Sequence, residues 1–263
     1  MKTLDVDVRY YHQIPRAYIT EADNQHRTLH WQLPVENVAL ILVDVWSDHY
    51  VKSHLDRGRD ITLAHIKPVL EAFRKIGALV VHAPSPDCAK KYPAWVRYAG
   101  DDETKGKPST PGDDWPPQDF RRKTGDYAKW ARLMEDRNKL YDDIIAKRSI
   151  IPEVAPQGDD HVVVNGDQLH RVLRHKKILH LFYCGFAANM CVPFRDYGMR
   201  AMKARGYEIV LLRDCTSAIE VVDTYDDLTI SKMCVVDAEL TIGYTVSSED
   251  LVAACANVGF IQK

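Results

Sequence analysis

The sequence lacks any apolar stretch approaching the ~20 residues that a helix needs to cross a bilayer. Its N-terminus mixes charged and apolar residues and has no apolar signal-peptide core, so we expect a cytoplasmic protein. An excess of charge is also absent, because 35 Lys and Arg residues face 37 Asp and Glu residues and leave a net charge of −2. This balance argues against nucleic acid or a membrane as a partner and favours a small-molecule substrate.

Cysteine pairs of the kind that bind structural zinc are missing as well. The six cysteines are spread along the chain, none forms a C-x-x-C motif, and most lie in apolar runs. That pattern is typical of buried free thiols. A chain of 263 residues can bury a large core without disulfides or metals to stabilise it.

What the sequence does contain is an alternation of apolar strands with helix-patterned segments. Val38–Val45 and Ala78–Ala83 are nearly continuous apolar runs, typical of parallel strands covered on both faces. Ile61–Ile76 has apolar residues at helical spacing, and Pro193–Arg205 is predicted as a later helix. The alternation predicts an α/β fold, a doubly wound parallel sheet with helices on both faces. Further strands are predicted at Val162–Val164, Ile178–Cys184, Glu208–Arg213 and near Ile242–Val246.

Two segments stand apart from this alternation. Residues 1–35 hold two extended patches, Leu4–Tyr11 and Arg27–Leu33, which predict a hairpin that lies across the domain or reaches a neighbouring subunit. Residues 86–156 are rich in Pro, Gly, charge and aromatics and contain no strand-like run, which is typical of a lid, a binding loop or an interface arm. We therefore expect residues 1–263 to form a single domain with an N-terminal extended arm and one long insertion.

Two residues with nucleophile and base chemistry fall beyond strand ends, where doubly wound sheets bind ligands. Cys191 lies at the predicted start of a helix, where unpaired N–H groups favour a thiolate. Asp44 ends an apolar strand, where an unpartnered carboxylate is costly. Alone, Cys191 could be a buried apolar thiol and Asp44 a helix cap, but together they form a nucleophile–base pair. The same rule also selects Ser85, Asn165 and Asp214.

The residues around these positions resemble the isochorismatase-like cysteine hydrolase family, which includes nicotinamidases, carbamoyl-amide hydrolases and isochorismatases. The resemblance rests on LILVDVW around Asp44, on YCGFAANMCV around Cys191, and on VLLRDCTSA after the next helix. It covers roughly residues 38–83 and 151–254. It implies a six-stranded parallel sheet with the order 3-2-1-4-5-6, and a homo-oligomer, expected here as a dimer or tetramer.

The resemblance also implies catalytic roles. Cys191 matches the nucleophile, and Asp44 matches the acid that takes and returns its proton. The peptide between Phe186 and Ala187 matches a cis bond in many relatives, which turns the Ala187 N–H toward an oxyanion beside the N–H of Cys191. Asn165 stands at the position of the family's catalytic lysine. A replacement cation would come from Arg171, His170, Arg121, Arg122 or Lys123.

Substrate contacts are expected from Trp46, where relatives often carry Gln, and from Phe186, Asn189 and Trp95. The other insertion aromatics favour a closed pocket that excludes water. They are Tyr92, Tyr98, Trp115, Phe120, Tyr127 and Trp130.

No metal and no cofactor are expected. Asp48, His49 and His54 are close in sequence, but the Asp-x-His pair that metal-dependent nicotinamidases use in a later loop is not found. His82, late in its strand, is more typical of a hydrogen-bonded histidine than of a metal ligand.

These observations predict a cysteine-dependent hydrolase of a small amide or carbamoyl compound that acts through a thioester acyl-enzyme. Two alternatives stay open. One is isochorismatase-type hydrolysis of an ester or vinyl ether on the same scaffold. The other is a non-catalytic homologue that has lost the family lysine.

Overall fold

A computed structural model describes residues 2–95, 115–132 and 139–260 of the chain. No helix in these segments is both long enough and apolar enough to span a membrane. The strands are β1 (Lys2–Gln13), β2 (Asn24–Pro34), β3 (Val38–Val43), β4 (Leu79–Ala83), β5 (His161–Val162), β6 (His180–Phe186), β7 (Glu208–Ser217), β8 (Tyr244–Val246) and β9 (Gly259–Phe260). The α-helices are α1 (Lys52–Ile61), α2 (Lys67–Ile76), α3 (Pro86–Ala89), α4 (Gln118–Arg122), α5 (Lys139–Lys147), α6 (Gly166–His175), α7 (Cys191–Phe194), α8 (Met199–Ala204), α9 (Thr229–Asp237) and α10 (Ser248–Ala256).

The sheet confirms the predicted α/β class and the order of its parallel strands. Six strands are parallel in the order β5-β4-β3-β6-β7-β8, which is 3-2-1-4-5-6 when they are counted along the chain. The predicted total of six strands is too low, because the described sheet has nine. β1 pairs antiparallel with β8, and β2 and β9 both pair with β1, so the additional strands cover what would otherwise be an open sheet edge.

Two hydrophobic layers enclose the parallel strands, which explains their continuous apolar sequences. On one face, Leu42 of β3 lies in the same core cluster as Phe73 of α2. On the other face, Ile41 lies in a cluster with Leu173 of α6. Burial of each such side chain contributes roughly 1.5–3 kcal/mol. The core therefore holds the carboxyl ends of β3 and β6 rigidly beside each other.

The N-terminal hairpin belongs to this same sheet. Leu4, Val6 and Val8 of β1 are at most 2% exposed and join the main core cluster. Glu239, almost fully buried, accepts hydrogen bonds from Arg9 at 2.7 Å and from His26 at 2.9 Å. A buried carboxylate thus ties both strands of the arm to the rest of the chain.

The insertion is described only in part. Residues 96–114 and 133–138 lie outside the described residues, and Tyr98 is among them. The rings of Phe120, Tyr127 and Trp130 pack on one another at centroid distances of 5.4 to 6.2 Å, next to α4. These aromatics therefore pack mainly against one another.

The end of the insertion returns to the carboxyl end of β3. The Ser47 N–H donates to the Ser149 carbonyl at 2.8 Å, and the Ile151 N–H donates to the Val45 carbonyl at 3.1 Å. This short pairing carries Arg148 to the edge of the site described next.

Candidate active site

Asp44 ends β3 in a buried, left-handed backbone conformation with φ 48°. Its side chain is fully buried, and its Oδ1 accepts a 2.7 Å hydrogen bond from the Ser85 N–H at the end of β4. Burial raises the pKa of Asp44 from 3.8 to about 6, although the Cys191 thiol and the Arg195 guanidinium both act to lower it. The carboxyl group is therefore poised to exchange a proton near neutral pH.

The turn after β6 brings Cys191 to this carboxyl group. Gly185 pairs with Val43 of β3 and has φ +109°, and a Cβ at Gly185 would lie 1.9 Å from the Val43 carbonyl oxygen. Only glycine allows the two strand ends to come so close. The half-buried Cys191 thiol then contacts Asp44, so the structure brings these two predicted residues together.

The Cys191 thiol is protonated at neutral pH. Burial first, and then the neighbouring Asp44 carboxylate, raise the pKa of Cys191 from 9.0 to about 12, against a lowering effect of Arg195. The sequence favoured a thiolate at a helix N-terminus, whereas burial and the Asp44 carboxylate favour the neutral thiol in the structure, where α7 has only four residues. Cys191 is therefore a neutral thiol beside the Asp44 carboxyl group.

The backbone N–H groups of Ala187 and Cys191 are among those in the turn that have no backbone acceptor within the described residues. The neighbouring N–H groups are occupied: Ala188 donates to Ser217, and Val192 to the carbonyl of Ala187. The peptide between Phe186 and Ala187 is cis. The turn thus leaves two N–H groups free for an anionic oxygen.

The cation of the site is Arg195, which the sequence analysis missed. Its Nη2 lies 3.8 Å from Asp44 Oδ2, and its guanidinium contacts the Cys191 thiol. A continuous helix over Pro193–Arg205 was predicted, but α7 ends before Arg195, which is extended with φ −64° and ψ 159°. The spacing of four residues from Cys191 was the signal available in the sequence.

Asp196 holds the segment that carries Arg195. The Gly166 N–H donates to Asp196 Oδ2 at 2.9 Å. A Cβ at Gly166 would lie 2.1 Å from the Asp196 carbonyl oxygen, so this segment rests directly on the start of α6. On the other side of Asp196, the Tyr183 hydroxyl donates to the Tyr197 carbonyl at 2.8 Å.

Asn165 serves as a helix cap in the structure. Its side chain accepts the Gln168 N–H at 2.8 Å and so satisfies one of the unpaired donors at the start of α6.

The cations considered from sequence have other contacts. His170 bonds the Tyr207 hydroxyl at 2.8 Å, Arg121 donates to the Trp115 carbonyl, and Lys123 lies 3.3 Å from the centre of the Phe120 ring. Arg122 lies with Arg121 in the last turn of α4, and Arg171 lies on α6. The cations that act on Asp44 are Arg195 and, with a smaller effect, Arg148.

A small cavity of about 20 Å³ opens beside Asp44. Trp46 and Phe186 line it, and the buried His49 and His54 complete its wall, with Leu55 and Gly58. The sequence analysis weighed these histidines only as metal ligands. The described residues contain no group of three or more His, Cys, Asp or Glu arranged to hold a metal ion.

Two predicted substrate contacts lie elsewhere. Asn189 is occupied on both sides of its amide, because it donates to the Ile219 carbonyl and accepts the Ile219 N–H, each at 3.1 Å. Trp95 is buried in a separate cluster beside β5, and its Nε1 donates to Gln168 at 3.2 Å. Both side chains therefore stabilise the scaffold, and neither lines the cavity at Asp44.

Comparison with known proteins agrees with this architecture. Residues 38–236 match the family model described as Isochorismatase domain. A cysteine hydrolase from Pseudomonas syringae pv. phaseolicola 1448A is similar at 18% identity over 86% of this chain and 95% of that chain, with a TM-score of 0.55. An isochorismatase family protein from Desulfovibrio vulgaris subsp. vulgaris str. Hildenborough is similar at 15% identity over 84% and 99%, with a TM-score of 0.50. At these identities the two structures show a shared fold.

Proposed function

Because this chain belongs to the isochorismatase family and is a hydrolase, we propose that it cleaves a small amide or carbamoyl compound through a thioester on Cys191. The observation that carries the proposal is the neutral Cys191 thiol held against the buried Asp44 carboxyl group. With a pKa of about 6, Asp44 is mostly ionised at neutral pH and can accept the thiol proton.

In the first step, the Cys191 sulfur attacks the substrate carbonyl carbon while its proton passes to Asp44. A C–S bond forms, and the carbonyl electron pair becomes an oxyanion that the N–H groups of Ala187 and Cys191 bind. As this oxyanion collapses, the C–N bond breaks and Asp44 returns the proton to the departing nitrogen. Ammonia or an amine leaves, and the acyl group stays on sulfur.

Water completes the cycle. Asp44 takes a proton from a water molecule while the water oxygen attacks the thioester carbonyl carbon, and the C–S bond then breaks. The Cys191 sulfur regains its proton from Asp44, and the carboxylic or carbamic acid departs. Both residues end the cycle as they began it.

The proton chemistry of Asp44 favours a nitrogen leaving group. An amine is a poor leaving group unless it receives a proton, whereas an alkoxide of an activated ester needs less help. A carboxyl group with a pKa of about 6 can accept the thiol proton as the C–S bond forms and give it to the nitrogen as the C–N bond breaks.

The cavity wall supports the same substrate class. Trp46 Nε1 and His54 Nδ1 are buried and have no hydrogen-bond partner among the described residues. Burial lowers the pKa of His54 to about 4, so its ring is neutral, and its other nitrogen faces the Ala218 carbonyl. Trp46 thus offers a donor and His54 an acceptor. A carboxamide or ureido group carries the complementary C=O and N–H.

The test is capture of the acyl-enzyme. Small primary carboxamides and ureido acids are mixed with the protein, quenched rapidly and analysed by intact mass and peptide mapping, while ammonia release is followed in parallel. We expect an acyl adduct on Cys191, and Cys191→Ser should lower turnover by at least about 10³-fold because the hydroxyl is a weaker nucleophile beside this base.

Cys234→Ser is the matched control, since Cys234 is the other half-buried cysteine and lies on α9. It should keep parental activity. Turnover of matched esters or vinyl ethers without any ammonia release from amides would instead favour isochorismatase-type chemistry. Amide hydrolysis that persists in Cys191→Ser would remove Cys191 from the mechanism.

A further inference from the structure

We propose that Arg195 is a third catalytic residue, whose guanidinium stabilises the negative charge that passes between Asp44 and Cys191 during acyl transfer. This inference rests on the proposed thiol chemistry and adds to it a residue that was not among the cations expected from the sequence or from the family likeness. A thiolate leaving Cys191 and an ionised Asp44 would place two negative charges in one buried pocket, which is strongly unfavourable without a cation.

Arg195 lies where such a cation is needed. Its Nη2 is 3.8 Å from Asp44 Oδ2, and the guanidinium also contacts the Cys191 thiol. At 3.8 Å the resting contact is an ion pair without a full hydrogen bond, so the guanidinium is free to follow the charge onto sulfur. The field of a fixed cation is strong in this site, because burial keeps water away from Asp44.

The Arg195 guanidinium also has an N–H group that is not used in a hydrogen bond to the described residues. Its Nε is buried and has no hydrogen-bond partner among the described residues. The side chain as a whole is 40% exposed, so one edge faces the reacting pair and another reaches solvent. An unpaired N–H beside a nucleophile can bind the thiolate or the oxyanion as each appears.

The other nearby cation is already neutralised. Arg148 donates two hydrogen bonds to the carboxylate of Asp87, at 3.1 and 3.2 Å, and a third to the Ser85 hydroxyl at 2.9 Å. By contrast, Asp44 is the carboxylate partner of Arg195 within the described part of the chain. Arg195 is therefore the cation available to the reaction.

The backbone holds Arg195 in place. The Asp196 carboxylate accepts the Gly166 N–H, and the Tyr197 carbonyl accepts the Tyr183 hydroxyl, so the chain is anchored directly after the arginine. The helix breaks between α7 and α8, and these two hydrogen bonds follow the break. Together they fix the direction in which the Arg195 side chain leaves the backbone. This arrangement is the preorganisation that electrostatic catalysis requires.

The experiment compares Arg195→Ala and Arg195→Lys with Arg200→Ala. Arg200 is the matched control because its side chain is also 40% exposed and also pairs with a carboxylate, that of Asp237. Two quantities are measured for each variant: kcat/KM for amide hydrolysis, and the pH dependence of Cys191 alkylation by iodoacetamide. Thermal unfolding of each variant checks that the fold is intact.

Arg195→Ala should lower kcat/KM by about 10²-fold or more and slow Cys191 alkylation at each pH measured, because the thiolate loses its counter-charge. Arg195→Lys should recover part of both losses, since it restores the charge without the planar fork. Arg200→Ala should stay within about threefold of the parent.

The result that would overturn the inference is an Arg195→Ala variant whose alkylation profile and kcat/KM stay within about threefold of the parent. If Cys191→Ser still abolished the acyl adduct in that case, the thiol mechanism would stand without Arg195. If Cys191→Ser also remained active, the proposed function itself would fail. The two failures are thus distinguishable.

Discussion

The raised pKa of Asp44 suits its proposed role in proton transfer, but it lowers the stability of the folded protein at neutral pH. Its carboxyl group is fully buried, holds a hydrogen bond from Ser85, and has a pKa of about 6 because of burial. In the unfolded chain the same group ionises near 3.8. The folded state therefore binds a proton more tightly, which favours folding at low pH. That stability is lost as the pH rises from about 4 through about 6.

Asp44→Asn should therefore stabilise the protein at neutral pH while removing the proposed base. Asparagine tolerates the left-handed backbone and keeps an oxygen for the Ser85 N–H. A shift from 3.8 to about 6 corresponds to about 3 kcal/mol at most, so the free energy of unfolding should rise by roughly 1–3 kcal/mol above pH 6.

Urea denaturation between pH 4 and pH 8 measures this effect. The advantage of Asp44→Asn should be small near pH 4, grow as the pH increases, and level off above about 6. A difference between variant and parent that did not change with pH would contradict the raised pKa of Asp44.

The individual residues of the site differ in how well they could be predicted from the sequence. Asp44 and Cys191 could be identified from the sequence because each carries a reactive group among apolar or small residues. Asn189 was expected to contact the substrate, but in the structure its amide pairs with the backbone of Ile219, which is 30 residues away in sequence. The cap formed by Asn165 is local, and the residue three positions later, Gln168, supplies its N–H. The Asn165 cap was thus open to prediction from the sequence, although Asn165 was assigned only to the family's lysine position, whereas the distant contact of Asn189 was not.

At the scale of elements, the break between α7 and α8 places Arg195 beside Asp44 and Cys191. The apolar spacing of Pro193–Arg205 predicted one helix, but α7 has four residues and α8 begins at Met199. The contacts that favour the break come from α6 and β6, through Gly166 and Tyr183. Tertiary contacts of this kind override helix propensity and cannot be inferred from periodicity alone.

Gly166→Ala tests whether α6 positions this segment. The added Cβ would lie 2.1 Å from the Asp196 carbonyl oxygen, so the Arg195–Asp196 backbone must move. We expect a loss of about 1–3 kcal/mol in the free energy of unfolding and at least a tenfold loss of kcat/KM under conditions where the variant is fully folded.

Ser247→Ala is the control for lost stability alone. It removes the N-cap of α10, whose side chain accepts the Asp250 N–H, and should destabilise the protein by about 1 kcal/mol with unchanged kcat/KM. If Gly166→Ala lost stability but kept its activity, the position of Arg195 would not depend on α6.

At the scale of the whole molecule, the N-terminal arm is integral to the fold. The two apolar patches predicted a hairpin, but the sequence offered two places for it. The structure pairs β1 with β8 and buries Leu4, Val6 and Val8 in the main core. The order of the parallel strands was predictable because the family motifs mark successive strands, whereas the antiparallel extension depends on contacts of Glu239 that leave no sequence pattern.

Glu239→Ala should loosen the arm. Its carboxylate is 1% exposed and binds both Arg9 and His26, so its removal leaves the Arg9 guanidinium and the His26 ring without their shared acceptor. We expect a loss of about 3–5 kcal/mol in the free energy of unfolding and faster hydrogen exchange in β1 and β2. Asp7→Asn, which breaks the exposed pair with His30 on the same hairpin, should cost under about 1 kcal/mol. Equal losses for the two variants would mean that the buried carboxylate does not anchor the arm.

The protonated state of Cys191 has a consequence for the chemical durability of the protein. Peroxides oxidise thiolates far faster than thiols, so a cysteine whose pKa is about 12 is a poor target for them. Catalytic cysteines that rest as thiolates are exposed to sulfenic and sulfinic acid formation between turnovers. In the proposed mechanism the Cys191 thiolate forms only while a substrate carbonyl group is in place to receive it, so we expect Cys191 to resist peroxide oxidation in the absence of substrate.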